Sequence, residues 1–284
     1  MKIGVAIILY NPELNSISKI FEYTPEFDEI YFFDNTEINT KNFDFIKEHE
    51  PRSKYITFQK NLGIAKSLNF LAKKAIEDKL DALVTMDQDS NWNLNYLKSY
   101  LSCIKGFSFF NKVALFGVNI GKPPIQINTD CAPYETNITI TSGSCINLGL
   151  FNNLSGFDEN LFIDGVDTDY CHKAQINDLK IIVFPNVFMN HSIGNVINFN
   201  LGLFKLTKYI HPPIRLYYMV RNHLYLNNKY KLHPGINRKY HSWSVSKKIF
   251  SNLVYNPKRF QVFKYLVKAL IDYKKEKFGQ ISNS

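Results

Sequence analysis

The sequence has few cysteines, and their spacing argues against two kinds of cross-linked protein. The four cysteines, Cys103, Cys131, Cys145 and Cys171, lie far apart and form no C-x-x-C pair. This spacing argues against a structural zinc site, and a chain of 284 residues is long enough to bury a core without a disulfide framework. We therefore expect four reduced thiols in a cytoplasmic protein.

The sequence also lacks a long apolar run. No uninterrupted apolar stretch approaches the roughly 20 residues that a membrane-spanning helix needs. The apolar start at residues 3–10 leads into Asn11-Pro12 without the small residues of a signal-peptide cleavage site, which favours a buried strand followed by a turn. We expect a protein that is soluble or lies on a membrane surface.

Acidic residues are almost absent from the last part of the chain. Residues 201–284 hold 17 lysines and arginines against two acids, whereas residues 1–200 hold 17 basic and 23 acidic residues. This asymmetry predicts two domains, residues 1–200 and a basic, aromatic, helical extension at residues 201–284. The extension calls for an anionic partner. Apolar positions 260, 263, 267 and 270 have helical spacing and favour a helix in a membrane interface, or else one packed on the protein's own core.

Apolar segments of strand length alternate with a helical pattern in the first 200 residues, which predicts an α/β fold with a mostly parallel sheet flanked by helices. The predicted strands are residues 3–10, 30–33, 82–86, 113–118 and 181–184, and the predicted helix is residues 64–77. Ligands of such sheets bind beyond the carboxyl ends of the strands. Polar clusters follow three of the strands, at residues 10–12, 34–36 and 87–90. These positions favour a nucleotide site.

Two carboxylates follow the predicted strand at residues 82–86. In an extended segment Asp87 and Asp89 point to the same side, with Gln88 opposite. Carboxylate oxygens suit Mg²⁺ or Mn²⁺, which would bridge them to a diphosphate. A solvated turn is the alternative interpretation. His191 would complete a metal site begun by Asp89, unless its imidazole is structural.

A second acidic cluster contains Asp164, Asp167 and Asp169. Crowded carboxylates raise one another's pKa, which makes each a candidate general base. The alternative is that Asp167 or Asp169 caps a helix that starts near Tyr170.

Two other patterns suit contacts with a ligand. Gly143, after Ser142, lets the backbone approach a ligand closely, although turns have the same composition. Arg215 and Arg221 lie among aromatic residues and would hold phosphate bidentately, or face water on an amphipathic helix.

Nine short segments, in their order along the chain, resemble the family 2 inverting glycosyltransferases, and among them the bacterial rhamnosyltransferase-like group. The D-Q-D-S and Val-Asp-Thr-acid forms point to that group. The resemblance covers residues 3–222 and implies a GT-A (Rossmann-like) fold. The matching segments are residues 10–12, 34–36, 61–65, 87–90, 141–144, 156–159, 162–169, 191 and 215–222.

The resemblance implies a role for each matched residue. Asp167 is the implied general base, with Val166 where many relatives have glutamate. The implied ligands of a divalent metal, Mg²⁺ or Mn²⁺, are Asp89 and His191. The implied acceptor or phosphate contacts are Asp164, Asp169, Arg215 and Arg221, of which the two acids are also fallback bases. The implied nucleotide-sugar contacts are Tyr10, Asn11, Asp34, Asn61, Gly63, Lys66, Asp87, Gln88, Ser142 and Gly143.

The implied function is inverting transfer of a sugar, rhamnose from a dTDP-sugar, to a surface-polysaccharide or lipid-linked glycan acceptor at the inner face of the bacterial cell membrane. Hexosyl transfer, such as galactosyl transfer from a UDP-sugar, is the nearest alternative. A non-catalytic protein that binds nucleic acid or another anionic surface is the alternative of another class, but clustered acids would repel phosphate. A nucleotidyltransferase would usually show a glycine-rich phosphate loop, which residues 9–20 lack.

Overall fold

A computed structural model describes the backbone of residues 1–38, 41–121, 131–191, 195–201, 204–236 and 238–282, and their side chains except at residues 191, 195–201, 204–209 and 238–241. The chain forms two compact units. The N-terminal unit comprises Met1–Glu159 and Val166–Ser192, and the C-terminal unit comprises Asn160–Gly165 and Ile193–Ser284. The predicted boundary at residue 200 lies inside the second unit, and no sequence pattern assigned residues 160–165 to it.

Parallel strands form one half of the sheet in the N-terminal unit. They are β1 (Ile3–Leu9), β2 (Glu29–Asp34), β3 (Lys54–Thr57) and β4 (Ala82–Asp87). Their order in the sheet is β3-β2-β1-β4, and all neighbours are parallel. β1 is buried along its whole length, because its continuous apolar sequence suits a strand that is covered on both faces.

The other half of the sheet is mainly antiparallel. Its strands are β5 (Ser90–Trp92), β6 (Val113–Ile120), β7 (Tyr134–Glu135), β8 (Cys145–Asn147) and β9 (Lys180–His191). β8 is antiparallel to β4 and β6, β5 and β7 are antiparallel to β9, and β6 is parallel to β9. The sheet is therefore mixed, where the sequence predicted a mostly parallel one. Parallel neighbours need a long crossover, usually a helix, and the described chain between β6 and β8 contains no helix.

Helices cover the sheet of the N-terminal unit. They are α1 (Leu14–Ile20), α2 (Asn42–His49), α3 (Ile64–Glu77), α4 (Leu94–Lys105), α5 (Leu148–Phe151) and α6 (Val166–Ile176). The prediction of a helix at residues 64–77 is confirmed, and its buried side includes Leu68, Leu71 and Ala75. α6 begins at Val166 rather than near Tyr170, so that Asp167 and Asp169 lie in its first turn.

The C-terminal unit contains a β-hairpin as well as helices. β10 (Asn195–Leu201) pairs antiparallel with β11 (Phe204–Ile210), and the helices are α7 (Pro213–Lys229), α8 (Arg238–Tyr255) and α9 (Arg259–Lys274). The prediction of helical structure from residue 201 is wrong for residues 204–210, where apolar and polar residues largely alternate with strand periodicity. Among the described residues, no helix combines the length and the apolar character that crossing a membrane requires.

The cysteines differ from the expectation of four free thiols. Cys103 on α4 and Cys131 form a disulfide with a Cα–Cα distance of 5.5 Å. Their sequence separation of 28 gave no signal, because the path of the chain, and not its spacing, brings residue 131 back to α4. Cys145 and Cys171 are free and buried, and burial raises the pKa of Cys171 to about 12, so this thiol stays protonated and unreactive.

Candidate active site

Loops at the carboxyl ends of β1, β2 and β4 are joined by side-chain hydrogen bonds. Gln88 Oε1 accepts from the Tyr10 backbone N–H at 2.7 Å, and Gln88 Nε2 donates to the Tyr10 carbonyl at 3.1 Å. The Asn11 N–H donates to Thr36 Oγ1 at 2.9 Å. Tyr10 and Asn11 are exposed. The three predicted polar clusters therefore lie together at one edge of the sheet.

Asp34, at the end of β2, is buried and bonded through both carboxylate oxygens. Oδ1 accepts from the Thr36 N–H at 2.9 Å, and Oδ2 accepts from Asn42 Nδ2 at 3.0 Å and from the Tyr55 hydroxyl at 2.6 Å. Burial raises the pKa of this carboxyl, but hydrogen bonds from Asn42, Thr36 and Tyr55 outweigh burial and lower the pKa below its usual value. Asp34 is thus a fixed anion, and its contact with a nucleotide base stays a prediction.

Sequence reasoning missed the two side chains that hold Asp34. Asn42 begins α2 and Tyr55 lies on β3, and no spacing rule connects either residue with Asp34. The contact between Tyr55 and Asp34 can be recognised once the order of the strands is known. Tyr55 on β3 pairs with Phe32, which lies two residues before Asp34 on β2. Tyr55 also borders an open cavity of about 450 Å³. The residues that line this cavity are Phe43, Tyr55, Ile56, Thr57 and Phe58.

The turn before α3 is fixed by a chain of polar contacts. Asn35 Nδ2 donates to Ser67 Oγ at 3.0 Å, Ser67 Oγ donates to the Gly63 carbonyl at 2.7 Å, and the Gly63 N–H donates to Asn61 Oδ1 at 3.0 Å. Gly63 has φ +78°, a conformation that glycine adopts without a steric penalty. Lys66 is exposed in the first turn of α3, where the free N–H groups of a helix favour anions.

The segment from Asp87 to Ser90 is held by the strand-end loop that precedes β8. The Asp87 N–H donates to Ser142 Oγ at 3.1 Å, and Ser90 Oγ and Ser142 Oγ share a hydrogen bond at 2.8 Å. Ser142 is buried, Asp87 is partly buried and Asp89 is exposed. Ser142 therefore has a fixed position, while the two carboxylates keep contact with solvent.

Gly143 permits a close approach of two strands. It has φ +80°, and its N–H donates to the Thr85 carbonyl at 2.7 Å. A Cβ at this position would lie 2.7 Å from Met189 Sδ and 2.8 Å from Val118 Cγ2. Any side chain would displace these neighbours, so the backbone of residues 142–143 depends on glycine.

The predicted metal ligands come from neighbouring strands. Ser90 on β5 is paired with His191 on β9, so the backbones of Asp89 and His191 lie at the same end of this antiparallel pair. The His191 side chain lies outside the described residues. Among the side chains that are described, no three histidine, cysteine or acidic residues form a metal-binding group. An exposed carboxylate still fits Mg²⁺ or Mn²⁺, because these ions commonly take the rest of their ligands from water and substrate phosphates.

The two acids in the first turn of α6 have different surroundings. Asp167 is partly exposed, and its Oδ1 accepts from the Thr168 N–H at 2.8 Å. Asp169 is completely buried and forms an ion pair with Lys173 at 3.0 Å, and Lys173 also donates to the Gly156 carbonyl at 2.9 Å. Proton transfer requires access to the reacting group, so this geometry favours Asp167 over Asp169 as a base.

Asp164 and Arg215 form a pair within the C-terminal unit. Asp164 Oδ1 accepts from Arg215 Nη2 at 3.3 Å, and Arg215 keeps about half of its side chain exposed. Asp164 has φ +62°, a conformation that is uncommon outside glycine and is found often at functional sites. Asn222 Nδ2 holds this turn through the carbonyls of Ile163 and Asp164, at 2.7 and 2.8 Å.

Arg221 occupies a structural position. Its side chain is completely buried, and Nη1 donates to the Tyr217 hydroxyl at 3.1 Å and to the Gly279 carbonyl at 2.8 Å. Nη2 donates to the Asn222 carboxamide oxygen at 2.9 Å and to the Asn160 carbonyl at 3.4 Å. Because protein acceptors surround the guanidinium, the geometry favours a structural role over the predicted phosphate contact.

Comparison with known proteins supports a nucleotide-sugar enzyme. The model of the glycosyl transferase family 2 matches residues 7–106, which contain the end of β1, strands β2–β5, α3 and the Asp87–Asp89 segment. The chain is 27% identical over 246 residues to the dTDP-rhamnosyl transferase RfbF of Shigella flexneri, and the match covers 80% of each chain.

Solved structures share the fold at low sequence identity. S. aureus TarS, residues 1–349, matches with a TM-score of 0.55 and 14% identity over 96% of this chain and 80% of that one. GalNAc-T7, solved with UDP, GalNAc and Mn²⁺, matches with a TM-score of 0.55 and 16% identity over 67% of this chain and 44% of that one. The fold is of the GT-A type, the chain is a glycosyltransferase, and its residues 7–106 match the model of glycosyl transferase family 2.

Proposed function

We propose that this enzyme transfers rhamnose from a dTDP-sugar, with inversion, to a surface-polysaccharide or lipid-linked glycan acceptor. The observation that carries the proposal is the 27% identity with a dTDP-rhamnosyl transferase over 80% of both chains. The strand-end site supports it, since the matched residues lie on loops joined by the Gln88–Tyr10 and Asn11–Thr36 hydrogen bonds.

We assign the nucleotide to the N-terminal unit. Asp34 would orient the base together with Tyr10 and Asn11, and the open cavity beside Tyr55 provides space next to this position. Asp87 would contact the ribose or the diphosphate. The other nucleotide-sugar contacts of the proposal are Asn61, Gly63, Lys66, Gln88, Ser142 and Gly143.

Asp167 is the proposed general base. The acceptor hydroxyl has a high pKa, and Asp167 would take its proton as the oxygen attacks the anomeric carbon from the side opposite the leaving group. The bond from the anomeric carbon to the diphosphate oxygen breaks with its electron pair on that oxygen. A divalent cation held by Asp89 and His191 would stabilise this developing charge. Asp164 and Arg215 are proposed acceptor contacts in the C-terminal unit.

Hexosyl transfer from a UDP-sugar is the second candidate. It is favoured by one observation, the fold shared with TarS, whose residues 1–349 were solved in complex with UDP-GlcNAc. At 14% identity this likeness concerns the fold, so the donor must be decided by nucleotide binding.

The melting temperature in the presence of nucleotides tests the proposal. A ligand that binds only the native state raises the melting temperature by mass action. We expect a larger, Mn²⁺-dependent increase with dTDP than with UDP or GDP, and single-turnover transfer from dTDP-rhamnose. A preference for UDP would support the hexosyl alternative, and no increase with any nucleotide would contradict both.

We also propose a cytoplasmic enzyme that is peripheral on the inner face of the bacterial cell membrane. The excess of basic residues in the C-terminal part and the membrane-bound nature of lipid-linked acceptors support this location. The Cys103–Cys131 disulfide argues against it, because the cytoplasm keeps most thiols reduced.

A further inference from the structure

Helix α9 carries two apolar stripes on different sides. One stripe is internal, because Val262 packs with Leu216 and Met219 of α7, and Leu266 joins this cluster. The other stripe is exposed and repeats at helical positions i, i+3, i+7, i+10 and i+11. It consists of Phe260, Phe263, Val267, Leu270 and Ile271, whose exposed fractions run from 39% to 83%. Packing on α7 therefore accounts for only one apolar side of α9.

Helix α8 repeats this arrangement. Its residues Leu253 and Ile249 contribute to the apolar clusters around α7, while Trp243, Phe250 and Val254 are 59%, 69% and 46% exposed. The exposed residues are spaced at i, i+7 and i+11, which is again one side of a helix. We call the exposed apolar residues of α8 and α9 together the outer face. Both stripes belong to a single unit, and exposed apolar stripes of this size on soluble proteins mark interaction sites.

Basic residues accompany the outer face. Lys247 Nζ lies 3.3 Å from the ring centroid of Trp243, and Lys264 and Lys275 are exposed on α9 and at its end. Residues 201–284 hold two acids, and one of them, Asp272, is buried and bonded to the Tyr217 hydroxyl and Lys268. The charge that surrounds the outer face is therefore positive.

We infer that the outer face of α8 and α9 docks on an anionic lipid bilayer, with its aromatic and aliphatic side chains in the interface and its lysines at the head groups. Aromatic residues, lysines and a one-sided apolar stripe are the chemistry of interfacial helices. Charge argues against a second copy of this chain as the occupant, since two such faces would bring lysine against lysine. The inference specifies the surface behind the proposed peripheral location, and it does not depend on the identity of the donor sugar.

Vesicle flotation tests the inference. The full chain is mixed with phosphatidylcholine vesicles that contain or lack phosphatidylglycerol. We expect binding to the anionic vesicles that weakens as salt is added. The double variant Phe260→Ser/Phe263→Ser should bind about tenfold more weakly or worse, because two large apolar side chains no longer leave water. Phe109→Ser is the matched control, since Phe109 is 62% exposed in the N-terminal unit, and it should bind like the wild type.

Charge variants separate the electrostatic part of binding from the apolar part. Lys264→Gln/Lys275→Gln should weaken binding to anionic vesicles several-fold, at about 1 kcal/mol for each basic residue near the surface, whereas Lys73→Gln/Lys105→Gln should not. All four lysines are exposed. Equal binding by both double variants would remove the outer face as the origin of the lipid contact.

Tryptophan fluorescence reports the contact directly. The chain has two tryptophans, of which Trp92 is buried and Trp243 belongs to the outer face. Anionic vesicles should shift the emission to the blue and protect it from acrylamide, and Trp243→Phe should abolish both changes while binding continues. Failure of the wild type to bind anionic vesicles at low salt overturns the inference. So does a wild-type dimer that Phe260→Ser/Phe263→Ser converts to a monomer. In either case, stabilisation by dTDP with Mn²⁺ would leave the proposed donor site standing.

Discussion

The two units place polar side chains according to different rules. In the N-terminal unit, buried polar groups such as Asp34 and Ser142 fix strand-end loops, and the carboxylates of Asp89 and Asp167 stay at least partly exposed. In the C-terminal unit the buried Arg221 joins segments of the unit itself, and the exposed surface of α8 and α9 is apolar and basic. The difference teaches that residue type alone does not identify a functional group. Buried, fully bonded ions hold the surrounding loops and helices in position, and the accessible carboxylates are available for proton transfer or metal binding.

The sharpest test of this rule compares the two acids of α6. Asp167→Asn should lower the rate of sugar transfer about 10²–10⁴-fold, because the amide cannot accept the acceptor's proton. Binding of dTDP with Mn²⁺, measured by the shift in melting temperature, should stay unchanged. Turnover at the wild-type rate in this variant would rule out Asp167 as the base.

Asp169→Asn is the matched substitution, because Asp169 lies in the same first turn of α6 but is completely buried. It leaves Lys173 without its buried partner and should lower the free energy of unfolding by about 3 kcal/mol. Urea unfolding measures this loss. Asp167→Asn, at a partly exposed position, should change the stability little. If Asp169→Asn instead left the stability intact and abolished transfer, burial would be a poor guide to role in this unit.

The arginines of α7 test the same rule in the C-terminal unit. Arg221→Lys should lower the free energy of unfolding by about 2–3 kcal/mol, because one ammonium cannot replace the guanidinium at Tyr217, Asn222 and Gly279. Arg215→Lys changes an exposed ion pair and should lower the free energy of unfolding by less than about 1 kcal/mol. Thermal unfolding of both variants measures the contrast. A stable Arg221→Lys protein that had lost only sugar transfer would restore the phosphate contact predicted from the sequence.

The sequence identified helices and strands whose apolar residues recur at a regular spacing. It missed contacts between segments that lie far apart in the chain. Helix 64–77 and the first strands followed from their apolar patterns, as did the strand-end position of Asp87. The antiparallel β8, the hairpin partner of β11 and the Cys103–Cys131 disulfide depend on which distant segments meet. For the same reason Asn42 and Tyr55 were not recognised, although their contacts hold Asp34 in place.

A smaller effect is expected where the backbone of the N-terminal unit needs a glycine. Gly143→Ala should lower the free energy of unfolding by about 1–3 kcal/mol, because alanine is strained at φ +80° and its Cβ would meet Met189 and Val118. Gly121→Ala is a useful comparison, since Gly121 has φ +132° and no atom of the described residues beyond its chain neighbours lies within 4 Å of its Cβ position. Equal losses in the two variants would assign the cost to backbone strain alone and would remove the argument for close packing at residue 143.

The smallest effect concerns the pH dependence of the Asp34 network. Because the folded-state pKa of Asp34 is lowered, its ionised form stabilises the fold above the unfolded pKa of about 3.9, and this contribution is lost as the pH falls through the folded pKa. Tyr55→Phe removes one donor and should cost about 1 kcal/mol at neutral pH.

Urea unfolding at neutral pH and at pH values below the normal aspartate pKa tests this linkage. The difference in free energy of unfolding between Tyr55→Phe and the wild type should shrink in acid. The hydrogen bond from the tyrosine hydroxyl stabilises the ionised Asp34 carboxylate more than the protonated acid. Tyr23→Phe is the matched control, since the buried Tyr23 hydroxyl has no hydrogen-bond partner among the described residues, and it should show no such pH dependence. A Tyr55→Phe deficit of the same size at both pH values would mean that Tyr55 stabilises the unit by packing, and that the low pKa of Asp34 has another origin.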